Sequence, residues 1–382
     1  MRLSRVLEQQ VAVFGESGSG KTVLLSSFYG ATQEPQYLQK SLFHVIADDI
    51  GQGARLHRNY LGMRDSARVP AATKFSATSY SFSVRLKDGA DASTKARPFD
   101  ALRLVWHDYP GEWFEQEVSG PEEAQRRTDT FRSLLGSDVA LLLVDGQRLL
   151  DNAGEEERYL KSLFGNLRNG LLSLKDELLS DGRPLVEFPR IWIMALSKSD
   201  LLPAMTVYTF RDLLVEKACD DIDELRKVLA GLVEASDALS VGEDFVLLSS
   251  AKFEANRITV TERVGLELLL PLAAMLPFER HVRWAQAKQI PGKVAENLLS
   301  GAGALAIALI GRKVKLPGPV GQLLSGIGPG LVNEAARLAG DKLTKANADA
   351  MSRKEYLTAT LTGFRLDLDR GEEEQILLRS RR

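Results

Sequence analysis

Residues Gly15, Glu16, Ser17, Gly18, Ser19, Gly20, Lys21 and Thr22 spell G-x-x-x-x-G-K-T, and no other stretch constrains the fold as strongly. The apolar run before it, Val11-Ala-Val-Phe14, is of the kind that makes a buried strand. Val23-Leu-Leu-Ser-Ser-Phe28 after it reads as a helix. Strand, glycine-rich loop and helix in that order build an anion site. The glycines let the backbone turn its N–H groups inward around phosphate oxygens, where side chains would obstruct. The helix that begins near Lys21 adds the positive end of its dipole. Lys21 would reach the β- and γ-phosphates, and the Thr22 hydroxyl would bind Mg²⁺. The chain therefore reads as a nucleotide-binding α/β protein.

Such a loop alone does not choose between ATP and GTP. Downstream, apolar strands are followed by polar motifs. Ala101-Leu-Arg-Leu-Val-Trp106 ends in His107-Asp108-Tyr-Pro-Gly111, a D-x-x-G string. Val139-Ala-Leu-Leu-Leu-Val144 is a continuous apolar run, as in a central parallel strand, and ends at Asp145-Gly146. Ile191-Trp-Ile-Met-Ala-Leu196 leads into Ser197-Lys198-Ser199-Asp200, and Phe245-Val-Leu-Leu248 into Ser249-Ser250-Ala251-Lys252. A D-x-x-G string arises by chance about once or twice in a chain this long, so its presence alone decides nothing. Joint order decides. Each motif lies beyond the C-terminal end of an expected strand, the edge where open α/β sheets hold their ligands.

In that order the motifs resemble those of the P-loop GTPases of the translation-factor and Ras-like (TRAFAC) class. The string Asp108-Tyr-Pro-Gly111-Glu112-Trp113 is also similar to one in the bacterial YcjX-like GTP-binding proteins. The resemblance implies a doubly wound, mostly parallel sheet with helical insertions and an α-helical C-terminal region. It implies GTP/GDP and Mg²⁺ as cofactors, with Asp108 at the metal and Gly111 sensing the γ-phosphate. Asp200 would accept from guanine N1–H and the exocyclic amine, a donor pair adenine lacks. Lys198 would cover the base, and the Ser250-Ala251-Lys252 turn would offer the Ala251 amide to guanine O6.

The pattern departs from the class in two places. Ras-like chains follow D-x-x-G with a glutamine that orients the attacking water. Glu112 stands there instead, lacks the amide donor and adds charge, so slow hydrolysis is expected, speeded by a partner or by self-association. The first switch is also long, about 50 residues from the loop's helix to Tyr80-Ser-Phe-Ser-Val-Arg-Leu86. Tyr37, Leu38, Leu42, Phe43, Val45 and Ile46 recur at roughly helical spacing there. A Mg²⁺-binding switch threonine should precede the strand. Thr73 and Thr78 both qualify, with Thr73 favoured.

Composition narrows the rest. With 49 Lys+Arg against 51 Asp+Glu, a net charge of −2 argues against general nucleic-acid binding. One cysteine, Cys219, excludes an intrachain disulfide framework, and the four histidines have no metal-binding spacing. His107 reads as a strand-end residue. No secretory pattern opens the chain and no run reaches the ~18–20 apolar residues of a membrane span, so a cytoplasmic protein is expected. Residues 1–280 read as the nucleotide domain, with Thr261 to Leu270 as its closing helix, and 281–382 as a helical region. Within the latter, 298–333 is an uncharged Gly/Ala-rich block with a basic cluster at Arg312, Lys313 and Lys315. It reads as a packed helix or as a peripheral membrane contact. The end, Arg379 to Arg382, is expected to be solvated.

The leading expectation is a Mg²⁺-dependent GTP switch that signals to a protein effector or activator. The alternatives are an ATPase with Asp145 as its metal-binding acid, or a nucleotide-driven assembly module at a membrane.

Overall fold

A computed structural model describes residues 7–70, 78–87, 100–108, 120–179, 182–185, 188–286 and 353–381. Strand β1 (Leu7–Phe14) lies between β4 (Asp100–Asp108) and β5 (Val139–Asp145), parallel to both. Strands β6 (Ile191–Ser197) and β7 (Ser240–Leu247) continue the parallel run. On the other side, β3 (Thr78–Leu86) and β2 (Phe43–Ala47) add antiparallel strands. A short strand near the C-terminus, β10 (Leu377–Leu378), pairs antiparallel with β7 and completes the order β10-β7-β6-β5-β1-β4-β3-β2. The sheet is doubly wound and mostly parallel, as the sequence predicts.

Every residue of β5 and β6 is buried, which is why both are continuous apolar runs rather than alternating ones. Alternation survives in β1, where Val11 and Val13 face one core and Ala12 and Phe14 the other. The first core is closed by helices α1 (Lys21–Thr32) and α3 (Ile50–Ser66), which contribute Leu25 and Leu56, and by α9 (Leu269–Ala274) and α10 (Leu276–Gln286). A long helix, α11 (Arg353–Glu373), joins them through Leu361, Phe364 and Leu368. The second core is closed by α4 (Pro121–Leu134), α6 (Glu156–Ser173) and α8 (Val207–Ala230), through Phe131, Phe164 and Phe210. Cys219 is exposed on α8.

Part of the segment with helical spacing over residues 37–46 is helix, namely α2 (Pro35–Lys40), and two other local expectations are corrected. Ser41 is extended and its hydroxyl accepts from the Phe43 N–H, which ends the helix. Phe43, Val45 and Ala47 then turn inward as alternate residues of an edge strand. The helix expected from Thr261 instead starts at Leu269, after Gly265 in a left-handed conformation (φ +69°) and a 3-10 turn at Leu266–Leu268. Pro271 and Pro277 sit in the first turns of α9 and α10, where proline's missing N–H costs nothing. The tail is not free either. Arg379 pairs with Asp369 and Glu372 at 2.7 Å each, and the Ser380 N–H donates to Asp244 Oδ1 at 2.8 Å. Position 280, where the sequence suggested a division, lies within α10. The block 298–333, with its membrane reading, lies outside the described residues.

Candidate nucleotide site

All five parallel strands release their loops at one edge of the sheet, and the sequence motifs collect there. Gly18 (φ +81°) and Gly20 (φ +89°) are left-handed, a conformation that a side chain would strain. This curls residues 15–20 tightly between β1 and α1. Gly20 caps α1 without a side-chain hydrogen bond, so the positive end of the helix begins at the loop. Lys21 is buried, and its Nζ donates to the carbonyls of Gly15 (2.7 Å) and Glu16 (3.0 Å), folded along the underside of the loop. Thr22 follows as the second residue of α1. Ser19 Oγ is buried with no hydrogen-bond partner among the described residues, an orphan that points to a ligand at the loop.

A cleft of about 330 Å³ opens beside this loop, bordered by Gly18, Ser19 and Gly20 on one side and by Lys198, Asp200 and Ser250 on the other. Leu24, Leu248 and the ring of Phe253 give it apolar walls. Lys198 is left-handed (φ +54°), and its Cε lies about 4.0 Å from where a Cβ on Gly20 would stand. Its side chain thus bridges the two halves of the cleft. Asp200 is held by chemistry that leaves its position little freedom. Ser249 Oγ donates to Oδ1 at 2.8 Å, and the Phe253 N–H donates to Oδ2 at 3.3 Å.

Asp145 lies between the two halves. Its carboxylate pairs with Lys198 Nζ at 2.7 Å and caps the short helix α5 (Gly146–Asp151), accepting from the Gln147 N–H at 2.9 Å. The Asp145 N–H donates to the Tyr159 hydroxyl at 2.8 Å, and burial pushes the Tyr159 hydroxyl pKa well above its usual value. His107 sits at the end of β4 between Ser79 Oγ (2.9 Å) and Gln10 Oε1 (3.1 Å), and burial lowers its pKa. It occupies the strand-end position read for it.

Several expected site residues fall elsewhere. Ala251 is fully buried, and it does not line the cleft. Lys252 starts β8 (Lys252–Glu254), which forms a hairpin with β9 (Arg257–Thr259), and its Nζ pairs with Glu254 and Glu262 on the surface. Asp108 ends β4, and its register partner across the sheet is Thr78, the second switch-threonine candidate. Thr73, Gly111 and Glu112 lie outside the described residues. Sequence reasoning missed Ser249, Phe253, Gln147 and Val69. Ser249 and Phe253 directly flank the Ser250-Ala251-Lys252 turn and were within reach of the motif. Val69 comes to the cleft from beyond α3 and carries no local signal.

Sheet order, glycine loop and aspartate-bearing cleft define a P-loop nucleotide-binding protein of the GTPase type. The chain belongs to the Double-GTPase 2 (DO-GTPase2) family, whose model matches residues 9–221. That span includes the phosphate loop, Asp108, Asp145, Lys198 and Asp200. No curated protein sequence matches the chain. Among solved structures it is similar to nucleolar GTP-binding protein 1 of Plasmodium falciparum, at 12% identity and a TM-score of 0.33, covering 78% of this chain and 98% of that one. It is also similar to the signal recognition particle receptor SRb-GTP/SRX complex of Chaetomium thermophilum, at 19% identity and a TM-score of 0.32, covering 66% and 94%. A third is the Roco2 RocCORdC structure of Methanosarcina barkeri bound to GDP, at 11% identity and a TM-score of 0.24, covering 98% and 95%.

Proposed function

We propose that the chain is a Mg²⁺-dependent guanine-nucleotide switch that hydrolyses GTP slowly and signals to a protein partner. The observation that carries the base assignment is the fixed carboxylate of Asp200, held by Ser249 Oγ and the Phe253 N–H beside the Lys198 side chain. A carboxylate so placed accepts from guanine N1–H and N2–H, whereas adenine offers no such donor pair. The ATPase reading needs Asp145 as the metal-binding acid. That carboxylate already serves Lys198 and the α5 N-terminus, which favours the guanine reading.

The metal fits the donor set. Thr22 supplies a hydroxyl at the start of α1, and Asp108 a carboxylate at the end of the neighbouring strand, both hard oxygen donors of the kind Mg²⁺ takes. Bound there, Mg²⁺ would neutralise phosphate charge. Lys21 would share that work from beneath the loop. The slow rate rests on Glu112 standing where a water-orienting glutamine is usual. Signalling would pass through the switch segments and the C-terminal region, whose helix α11 packs against the sheet.

The test is nucleotide titration of the wild type and of Asp200→Asn. The wild type should prefer GTP and GDP over ATP. The variant should lose guanine affinity and gain affinity for xanthosine triphosphate, whose ring presents the complementary group. Unchanged base preference in the variant would overturn the guanine assignment.

A further inference from the structure

Glu16 is an acid in a loop built to hold anions. It is 4% exposed, and its backbone carbonyl accepts from Lys21 Nζ. An ionised carboxylate buried within the phosphate loop would repel the ligand through a medium of low dielectric, where charges act strongly. The structure supplies a counter-charge from another element. Arg148, on α5, places Nη1 2.9 Å from Glu16 Oε2, and its Nη2 donates to the Ser17 carbonyl at 3.4 Å. Arg148 therefore grips the loop at two consecutive residues, one through charge and one through the main chain.

The element that carries it has a second attachment. Helix α5 is capped by Asp145, whose carboxylate pairs with Lys198 of the base-reading loop. Within four residues the chain thus makes two ion pairs in opposite senses, Asp145 to the base side and Arg148 to the phosphate side. Gly146 between them lets the two loops approach. A Cβ there would stand 2.8 Å from the Ser197 carbonyl oxygen and 2.9 Å from that of Lys198.

We infer that Arg148 is a positioning residue for the nucleotide: it neutralises Glu16 and so makes the phosphate loop receptive to a polyphosphate. It acts through Glu16 and the Ser17 backbone. Without it, the Glu16 carboxylate would repel the phosphates and compete with them for Lys21. The penalty grows with ligand charge, which separates this role from simple support of the fold. This inference rests on the nucleotide-binding reading, but it concerns phosphate count rather than the base.

The experiment measures dissociation constants of guanosine, GMP, GDP and GTP for the wild type, Arg148→Ala, Arg148→Lys, Glu16→Gln and the Glu16→Gln/Arg148→Ala double variant. Arg148→Ala should lose about tenfold or more for GTP, less for GDP, and little for guanosine. Arg148→Lys should keep most of the affinity. The double variant should regain it, because no carboxylate is left to balance. Glu16→Gln alone should bind the more charged ligands at least as tightly as the wild type, and this arm stands even if Arg148→Ala folds poorly. A loss equal across the four ligands, or no recovery in the double variant, overturns the inference. If the wild type prefers adenine nucleotides, the guanine reading fails and the same ladder run with them still tests the pair. If it binds neither series, both fail.

Discussion

Arg280 Nη2 lies 2.8 Å from Asp244 Oδ1, and neither side chain has any exposed surface. Two serines add further hydrogen bonds, while Arg280 Nε is buried with no hydrogen-bond partner among the described residues. Arg280 also donates to Ser240 Oγ (3.1 Å) and to the Ser380 carbonyl (3.2 Å), while Asp244 accepts from Ser240 Oγ (3.0 Å) and the Ser380 N–H (2.8 Å). The pair thereby joins β7, α10 and the C-terminal segment in one buried network. Removing one partner from such a pair strands the other charge, at a cost of about 3–5 kcal/mol. Arg280→Met is expected to lose stability of that order in urea denaturation. A loss below about 1 kcal/mol would show that solvent reaches the pair.

The neighbouring residue sets a pH dependence. His281 is fully buried, its Nε2 has no hydrogen-bond partner among the described residues, and Arg190 and Arg280 lie near enough to repel a proton. Burial, reinforced by those two cations, pushes its pKa from 6.5 down to about 3. The unfolded chain therefore takes up a proton below about pH 6.5 that the folded chain refuses until about pH 3. Stability falls as pH drops through that window, by about 1.4 kcal/mol per unit from this group. His44 and His107 are also lowered by burial and act in the same direction. The difference between wild type and His281→Leu isolates the one residue. Urea midpoints compared at pH 7.5 and pH 5 should diverge less for the variant, and an identical pH profile would remove His281 as the cause.

What the sequence could show was local. The phosphate loop is legible because strand, glycines, lysine and helix are contiguous, and β5 and β6 are legible because burial on both faces leaves no polar position. Asp200 is legible as part of a four-residue string, but its support is not. Ser249 and Phe253 meet it from 49 and 53 positions away, a juxtaposition that only the sheet creates. The apolar residues of 37–46 could not be divided between helix and strand by spacing alone, because so short a run fits either period. Two-residue β10 has no pattern to read, since the exposed edge of β7 makes it a strand. Arg148 resembles any solvated helix cation until α5 is placed against the loop.

Gly146 offers a steric test of how closely the two halves of the site must approach. An added Cβ would meet two carbonyl oxygens of the base-reading loop below 3.0 Å, and both are backbone, which yields less readily than a side chain. Gly146→Ala is therefore expected to push Lys198 and Asp200 away from the phosphate loop. Guanine-nucleotide affinity should fall by roughly tenfold, with a loss of stability of about 1–3 kcal/mol. Equilibrium binding and thermal melting read the two effects separately. Affinity within about twofold of the wild type, less than 0.5 kcal/mol on the free-energy scale, would mean that the loops tolerate separation.

Phe253 tests the wall of the cleft independently of its hydrogen bonds. The ring is half-buried at the cleft, while the backbone N–H of the same residue reaches Asp200 Oδ2. Its hairpin is anchored from behind, since Ala251 and Ile258 pack with Tyr60 and Met63 of α3. Phe253→Ala removes the ring and keeps the N–H, so Asp200 should stay in place and base preference should not change. An aromatic face against a base contributes about 1 kcal/mol or more. Affinity should therefore fall roughly fivefold or more for GTP. In the Asp200→Asn background the same substitution should weaken xanthosine triphosphate by a similar factor. If Phe253→Ala instead shifts preference between the two bases, the ring acts through Asp200 rather than on the ligand.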